Sequence, residues 1–184
     1  RKHYLDKAFE PQSVAVIGAT DREASVGRQI LQNIIDGGFE GEVYPVNPAR
    51  KRILKRRAYP TIPEIDHPVD LAIICVPARE VPAVLQQCGE HGVGAVIVIS
   101  AGFAEVGDRG LALQAEILDI ARTFDIALIG PNCMGLIRPG VGLNASLTRS
   151  TVGTGEVALV AQSGAICTAL LDWGFSRGFG FSAV

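Results

Sequence analysis

The chain alternates short apolar runs with longer segments in which apolar residues recur every three or four positions. "SVAVIG" at 13–18 is an unbroken run of the kind that fills a buried strand, and "VGRQILQNIIDGG" at 26–38 is amphipathic and closes on two glycines. "EVYPVN" at 42–47, "DLAIICVP" at 70–77, "AVIVIS" at 95–100 and "IALIG" at 126–130 read as further strands. The same pattern predicts helices over 79–92, with Pro82 in the first turn, and over 108–124. Only a basic segment and the Pro-punctuated "YPTIPEIDHP" separate the second strand from the third. Strands alternating with helices imply parallel pairing, because parallel neighbours need a crossover and the helices then cover both faces. The expected fold class is α/β, a doubly wound parallel Rossmann-like sheet with ligands at the carboxyl ends of its strands.

Near residues 147–156, "LTRSTVGTGE", the composition turns to Ser, Thr and Gly. A new cycle then starts, with a strand in "VALVAQ" (157–162), a helix in "AICTALLDWGFSRG" (165–178) and the opening of another strand in "GFSAV". The expected division is 1–147 for the first domain and 148–184 for a linker plus the first strand–helix unit of a second α/β domain. A half-built sheet exposes an unpaired edge, so the sequence reads as a piece of a longer protein.

Composition narrows the classes. Hydrophobic residues at 48% and charged residues at 20% are too apolar a mixture for disorder, and 184 residues allow one good core. A net charge of −2 argues against a general nucleic-acid binder. No apolar run is long enough to cross a bilayer, and "RKHYLDKAFEPQ" lacks a signal-peptide core. Cys75, Cys88, Cys133 and Cys167 form no CxxC pair and are expected to be reduced thiols in a cytoplasmic protein. With only three scattered histidines beside them, no metal site is expected. The partner implied is a small molecule, with neither nucleic acid nor membrane.

The turn after the first strand, "GATDREASVG", runs from Gly18 to Gly27. In this fold that turn brings backbone N–H groups and a helix N-terminus to a diphosphate. The pattern G-x-G-x-x-G is absent, because Thr20 stands where its second glycine would be. Ser25 is placed to cap the helix or to bond a phosphate; the plainer alternative is an ordinary strand–helix connection. The tip of the second strand, Pro45-Val46-Asn47-Pro48, lacks the acid that holds a ribose 2′-hydroxyl in NAD enzymes. Instead six basic residues follow within "RKRILKRR": Arg50, Lys51, Arg52, Lys55, Arg56 and Arg57. Clustered like charge repels itself unless an anion compensates. An extra ribose phosphate fits, as carried by NADP or by coenzyme A; the competing reading is a solvated helix face.

Loops at the later strand ends, "VPAR" (76–79), "SAGFAEVG" (100–107) and "GPNCMG" (130–135), add backbone groups to the same edge. None carries a Ser/His/Asp or Cys/His constellation. Cys133 lacks a partner among His3, His67 and His91, and Glu105 reads as a loop or helix-entry residue, so no catalytic residue is expected.

In this order "SVAVIGATDREASVGRQIL", "VYPVNP", "LAIICVPA", "ISAGFAEVGDRG", "IGPNCMGL" and "VALVAQSGA" resemble the coenzyme A-binding region of the NDP-forming acyl-CoA synthetases. That superfamily contains succinyl-CoA ligase α-subunits and ADP-forming acetate–CoA ligases. "GLNASL" and "AQSGAICTALLDWGFSRGFGFS" look most like bacterial proteins that join such a region to a GNAT acetyltransferase domain. The resemblance implies coenzyme A or acyl-CoA across the strand ends, and a second domain that is flavodoxin-like. Gly18, Ala19, Thr20, Ser25 and Gly27 would hold phosphates. Val46, Asn47, Pro48 and Lys51 would line the adenosine side, and Val76, Pro77 and Ala78 the pantetheine path. Ser100, Ala101, Gly102 and Asn132 would stand near the thiol. Gln162, Ser163 and Gly164 would open a helix facing a phosphoryl group carried by a histidine beyond residue 184. ATP or ADP would enter only through domains absent from this chain, and the partners would be the remaining ligase or acetyltransferase domains, with a homo-oligomer allowed. Two readings follow: the coenzyme A half of a ligase, or an inactive acyl-CoA sensor for an acetyltransferase. An NADP-dependent oxidoreductase is the third. The family has a glycine where this chain has Lys55.

Overall fold

The computed structural model describes residues 5–148 and 152–184. A short helix α1 (Asp6–Phe9) precedes strand β1 (Ser13–Ile17), helix α2 (Val26–Asp36) and strand β2 (Glu42–Val46). Two two-residue strands, β3 (Arg52–Ile53) and β4 (Arg56–Arg57), follow. Then come β5 (Leu71–Ile74), α3 (Val81–Glu90), β6 (Ala95–Val98), α4 (Asp108–Thr123) and β7 (Ala127–Ile129). Strands β8 (Gly135–Arg138) and β9 (Leu143–Ser146) form a hairpin, and β10 (Thr154–Ala158), α5 (Gly164–Ser176) and β11 (Phe181–Ala183) complete the chain.

The main sheet is parallel throughout, in the order β2-β1-β5-β6-β7. The later strand expected at 157–162 lies instead at Thr154–Ala158, whereas each strand predicted for this sheet is present. Their β-branched runs are buried on both sides, as a sheet covered on both faces requires. The order in which strands are added to the sheet reverses between β1 and β5. Right-handed crossovers therefore put α2 on one face, with Ile30, Leu31 and Ile34 against Val14, Val16 and Ile73. Helices α3 and α4 pack on the other, through Leu85, Cys88, Ile117 and Ala121. In α2 the buried positions Gly27, Ile30, Leu31 and Ile34 fall at helical spacing. Gly38 at φ 78° carries the chain out of that helix.

Two features depart from the sequence expectation. The basic segment is no helix face. Arg52 pairs with Arg57 and Ile53 with Arg56 across a tight antiparallel turn, and only Ile53 of those four is buried. Leu54 and Lys55 form the turn at φ 47° and 66°, both left-handed, as a two-residue hairpin turn demands. Lys55 thus occupies a position that favours glycine. Lys55→Gly is expected to raise unfolding free energy by about 0.5–1 kcal/mol, measurable by urea denaturation. The second departure is the β8–β9 hairpin, which covers α2 through Leu143 and Ala145.

The second unit is a two-stranded parallel sheet, β10 with β11, and α5. Reciprocal backbone bonds between Ile137 and Val184 join β8 to the chain just after β11. Arg138 reinforces the join: its Nε donates to the Phe9 carbonyl at 3.0 Å and its Nη1 to the Ser182 carbonyl at 2.6 Å.

Candidate functional site

The carboxyl ends of β1 and β5 meet at the point where strand order reverses, the usual ligand crevice of such sheets. Here the backbone is bare. Gly18 stands at φ 88°, and a Cβ added to it would lie 2.8 Å from the Cys75 carbonyl oxygen. The Gly18 N–H donates to the Val46 carbonyl at 3.0 Å. A Cβ on Gly27 would lie 2.0 Å from the Gly18 carbonyl oxygen, so α2 starts in direct contact with the turn. Ala19 is buried, and the Thr20 hydroxyl accepts the Arg22 N–H at 3.2 Å.

Ser25 corrects an expectation. Its hydroxyl donates to the Arg22 carbonyl at 2.7 Å and does not cap α2. The turn is therefore braced internally, while the first N–H groups of α2 are left without a side-chain cap. That is the arrangement an anion would complete.

The tip of β2 is tied to this turn at two points. Asn47 Nδ2 donates to the Ala19 carbonyl at 2.7 Å, and Asp21 Oδ1 accepts the Leu54 N–H at 2.9 Å. Pro48 and Lys51 are exposed beside them. Asp21 and Arg28 were absent from the sequence-derived set. Arg28 Nη1 donates to the Asp21 carbonyl at 2.5 Å, and its place in the first turn of the predicted helix was the only available signal. Arg52 and Arg57 face each other across the hairpin, a directly opposed like-charge pair. Arg57 is relieved in part by the Tyr59 ring, 4.8 Å away.

Further along the edge, the Ser100 hydroxyl donates to the Val76 carbonyl at 2.5 Å. Pro77 precedes a single 3-10 turn starting at Ala78, and a Cβ on Gly102 would lie 2.9 Å from that of Ala78. Ala101 is exposed next to them. Glu105 accepts the Gly102 N–H at 2.6 Å. That backbone hydrogen bond holds its carboxyl below the usual range, which makes it a loop brace. Asn132, at φ 53°, donates its N–H to the Ser100 carbonyl at 3.0 Å. The edge is continuous from Lys51 to Asn132.

A cleft of about 1050 Å³ lies beyond that end, between the two units. Asn132, Cys133 and Met134 line one wall, Gln162 and Gly164 the other. Ser163 caps α5, its hydroxyl accepting the Ile166 N–H at 3.4 Å.

The thiols near the site are poor nucleophiles. Burial, with a contribution from nearby Cys133, pushes the Cys75 thiol up to about 12 from an ordinary 9.0. Burial also raises Cys133, whose Sγ donates to the Val98 carbonyl at 3.4 Å. Both stay protonated at neutral pH. Because the folded Cys75 value is raised, its stabilising contribution is full below pH 9 and is lost as pH climbs towards 12; Cys133 acts in the same direction. Iodoacetamide at pH 7.5 is expected to leave Cys75 and Cys133 unlabelled in the folded chain and to label both in urea, read by peptide mass spectrometry. His67 stacks on Tyr44 and its backbone carbonyl lies 3.3 Å from His91 Nε2, ahead of β5 and so at the opposite end of the sheet. His3 lies outside the described residues. Among the described residues no three His, Cys, Asp or Glu side chains group as a metal site, and no helix is long and apolar enough to cross a membrane.

The family model described as "CoA binding domain" matches residues 12–139. The chain belongs to this CoA-binding domain family. The chain is 42% identical over 98% of its length to acetate–CoA ligase (ADP-forming) I of Archaeoglobus fulgidus, covering 26% of that protein. It is 40% identical over 96% of its length to 4-hydroxybutyrate–CoA ligase (ADP-forming) of Nitrosopumilus maritimus, covering 25% of it. The solved structure of dinucleotide-forming acetyl-coenzyme A synthetase 1 from Ca. Korarchaeum cryptofilum, in complex with phosphate and ADP, superposes with a TM-score of 0.93 at 35% identity. That superposition covers 97% of this chain and 38% of the synthetase. The chain thus spans about a quarter of the length of these curated relatives.

Proposed function

We propose that this chain binds coenzyme A or its thioesters as the N-terminal part of an ADP-forming acid–CoA ligase in the cytoplasm. The carrying observation is the row of strand ends, with a turn closely packed at Gly18 and Gly27, a start of α2 that no side chain caps, cations on the β3–β4 hairpin and a cleft at the far end. A long ligand with a diphosphate, a ribose phosphate and a thiol arm fits that order of features. Gly18, Ala19, Thr20, Ser25 and Gly27 then surround the diphosphate, with the uncapped start of α2 supplying the positive end, while the Gly18 N–H stays on the Val46 carbonyl. Val46, Asn47, Pro48 and Lys51 hold the adenosine end. Val76, Pro77 and Ala78 follow the pantetheine, and Ser100, Ala101, Gly102 and Asn132 reach the thiol. When bound, coenzyme A supplies a thiol that carries the acyl group as a thioester.

Residues 1–147 form the coenzyme A domain in this reading, and 148–184 begin the second. Gln162, Ser163 and Gly164 present the amino end of α5 to a phosphoryl group in the cleft, whose histidine and nucleotide come from elsewhere in the parent. The two relatives described above are ligases, which favours that parent over an acetyltransferase-linked sensor. Calorimetry should show coenzyme A binding more tightly than dephospho-coenzyme A, with NADP weaker than both. Lys51→Ala is expected to weaken coenzyme A about fivefold and dephospho-coenzyme A much less. A preference for NADP would replace this function with a hydride-transfer one.

A further inference from the structure

We propose that Asp21 is a positioning residue that holds the cationic hairpin over the diphosphate turn and so sets the preference for a 3′-phosphorylated ligand. The inference rests on the coenzyme A reading and concerns how that site discriminates. Asp21 is an acid within the turn that would hold two phosphates, facing the segment that carries six cations. By charge alone it is out of place, since it repels the ligand. Its geometry gives another role. In a two-residue hairpin turn the first turn residue directs its N–H away from the ladder. That residue is Leu54, and its N–H donates to Asp21 Oδ1 at 2.9 Å. Asp21 is itself braced, because Arg28 in the first turn of α2 donates to its carbonyl at 2.5 Å.

The base of the same segment is fixed separately, by Asn47 Nδ2 on the Ala19 carbonyl at 2.7 Å and Asn47 Oδ1 on the Ala49 N–H at 2.9 Å. The hairpin is thus pinned at base and tip to two residues of one turn. The diphosphate and ribose-phosphate ends of the site are held at one separation. Releasing the tip leaves the diphosphate turn intact and lets the cations swing away from the ribose phosphate, so the two functions separate in measurement.

The variants are Asp21→Ala, which removes the acceptor, and Asp21→Asn, which removes the charge and keeps an acceptor oxygen. Calorimetry on the 184-residue chain is expected to show Asp21→Ala binding coenzyme A about fivefold more weakly, with dephospho-coenzyme A changed by less than about twofold. Asp21→Asn should stay within about twofold of the unaltered chain for both ligands. Amide exchange, read without ligand, should show the Leu54 N–H protected in the unaltered chain and in Asp21→Asn, and fast in Asp21→Ala. Equal weakening of both ligands by Asp21→Ala would overturn the proposal. So would tighter coenzyme A binding in both variants, since Asp21 would then act as a repelling charge. An unaltered chain that bound the two ligands equally would remove the underlying reading before any variant was made, while the Leu54 exchange would still judge the tether by itself.

Discussion

Gly27→Ala is expected to cost about 3 kcal/mol or more of folding stability and to weaken coenzyme A binding about 100-fold. The added methyl would sit 2.0 Å from the Gly18 carbonyl oxygen and 2.7 Å from its carbon, both backbone atoms that no rotamer change can move. Either α2 withdraws from the β1 turn or the turn itself shifts. Both break the alignment of the helix N-terminus with the N–H groups of residues 18–20. Gly38→Ala serves as the control. Gly38 stands at φ 78°, and an added Cβ meets nothing within 4 Å, so its cost is only the strain of a left-handed residue, about 1 kcal/mol. Urea unfolding followed by circular dichroism separates the two, and calorimetry reads the binding loss. A Gly27→Ala chain as stable as the Gly38→Ala one would show that α2 can slide.

Phe103→Ala is expected to cost about 3–5 kcal/mol, although the residue lies inside the "SAGFAEVG" loop rather than in a regular element. Phe103 is fully buried and packs with Val98, Ile117 and Ala121 beneath the strand edge. Its backbone is equally confined, since a Cβ on Gly110 would lie 1.7 Å from the Phe103 carbonyl oxygen. Truncation leaves a cavity that α4 cannot fill without losing that contact. The stability loss should appear in the urea midpoint with the denaturant slope unchanged. A loss below 1 kcal/mol would mean the loop is not anchored through this ring.

The sheet was legible because parallel strands buried on both faces are written as continuous β-branched runs, and "VAVI", "LAII" and "AVIV" are such runs. The helices were legible from their spacing and their glycine stops. The two hairpins were not. Arg52–Ile53 and Arg56–Arg57 are too short to show any period, and only the turn at Leu54 and Lys55 makes them strands. For β8 and β9 a signal was present: Pro139, Gly140 and Gly142 punctuate two apolar pairs, Leu136-Ile137 and Leu143 with Ala145. Ser25 shows the limit of residue-type arguments, since a hydroxyl at a helix start has several neighbours to bond and the Arg22 carbonyl took it. The candidate site was legible as a set of loops at one edge. The tethers of Asp21 and Asn47 were not, because they join residues 33 and 28 positions apart.

The join between β8 and the residue after β11 bears on where this chain can be cut. Ile137 exchanges two main-chain hydrogen bonds with Val184, and Arg138 holds the Ser182 carbonyl. A truncation near residue 147 would therefore not release a self-contained body. It would strip one flank of β8, take the Ser182 carbonyl from Arg138 and leave it the Phe9 carbonyl and Glu10, and unpair the N–H and C=O of apolar Ile137. Such an exposed ladder recruits other chains, so the shortened product is expected to sediment as aggregates where the 184-residue form stays dispersed.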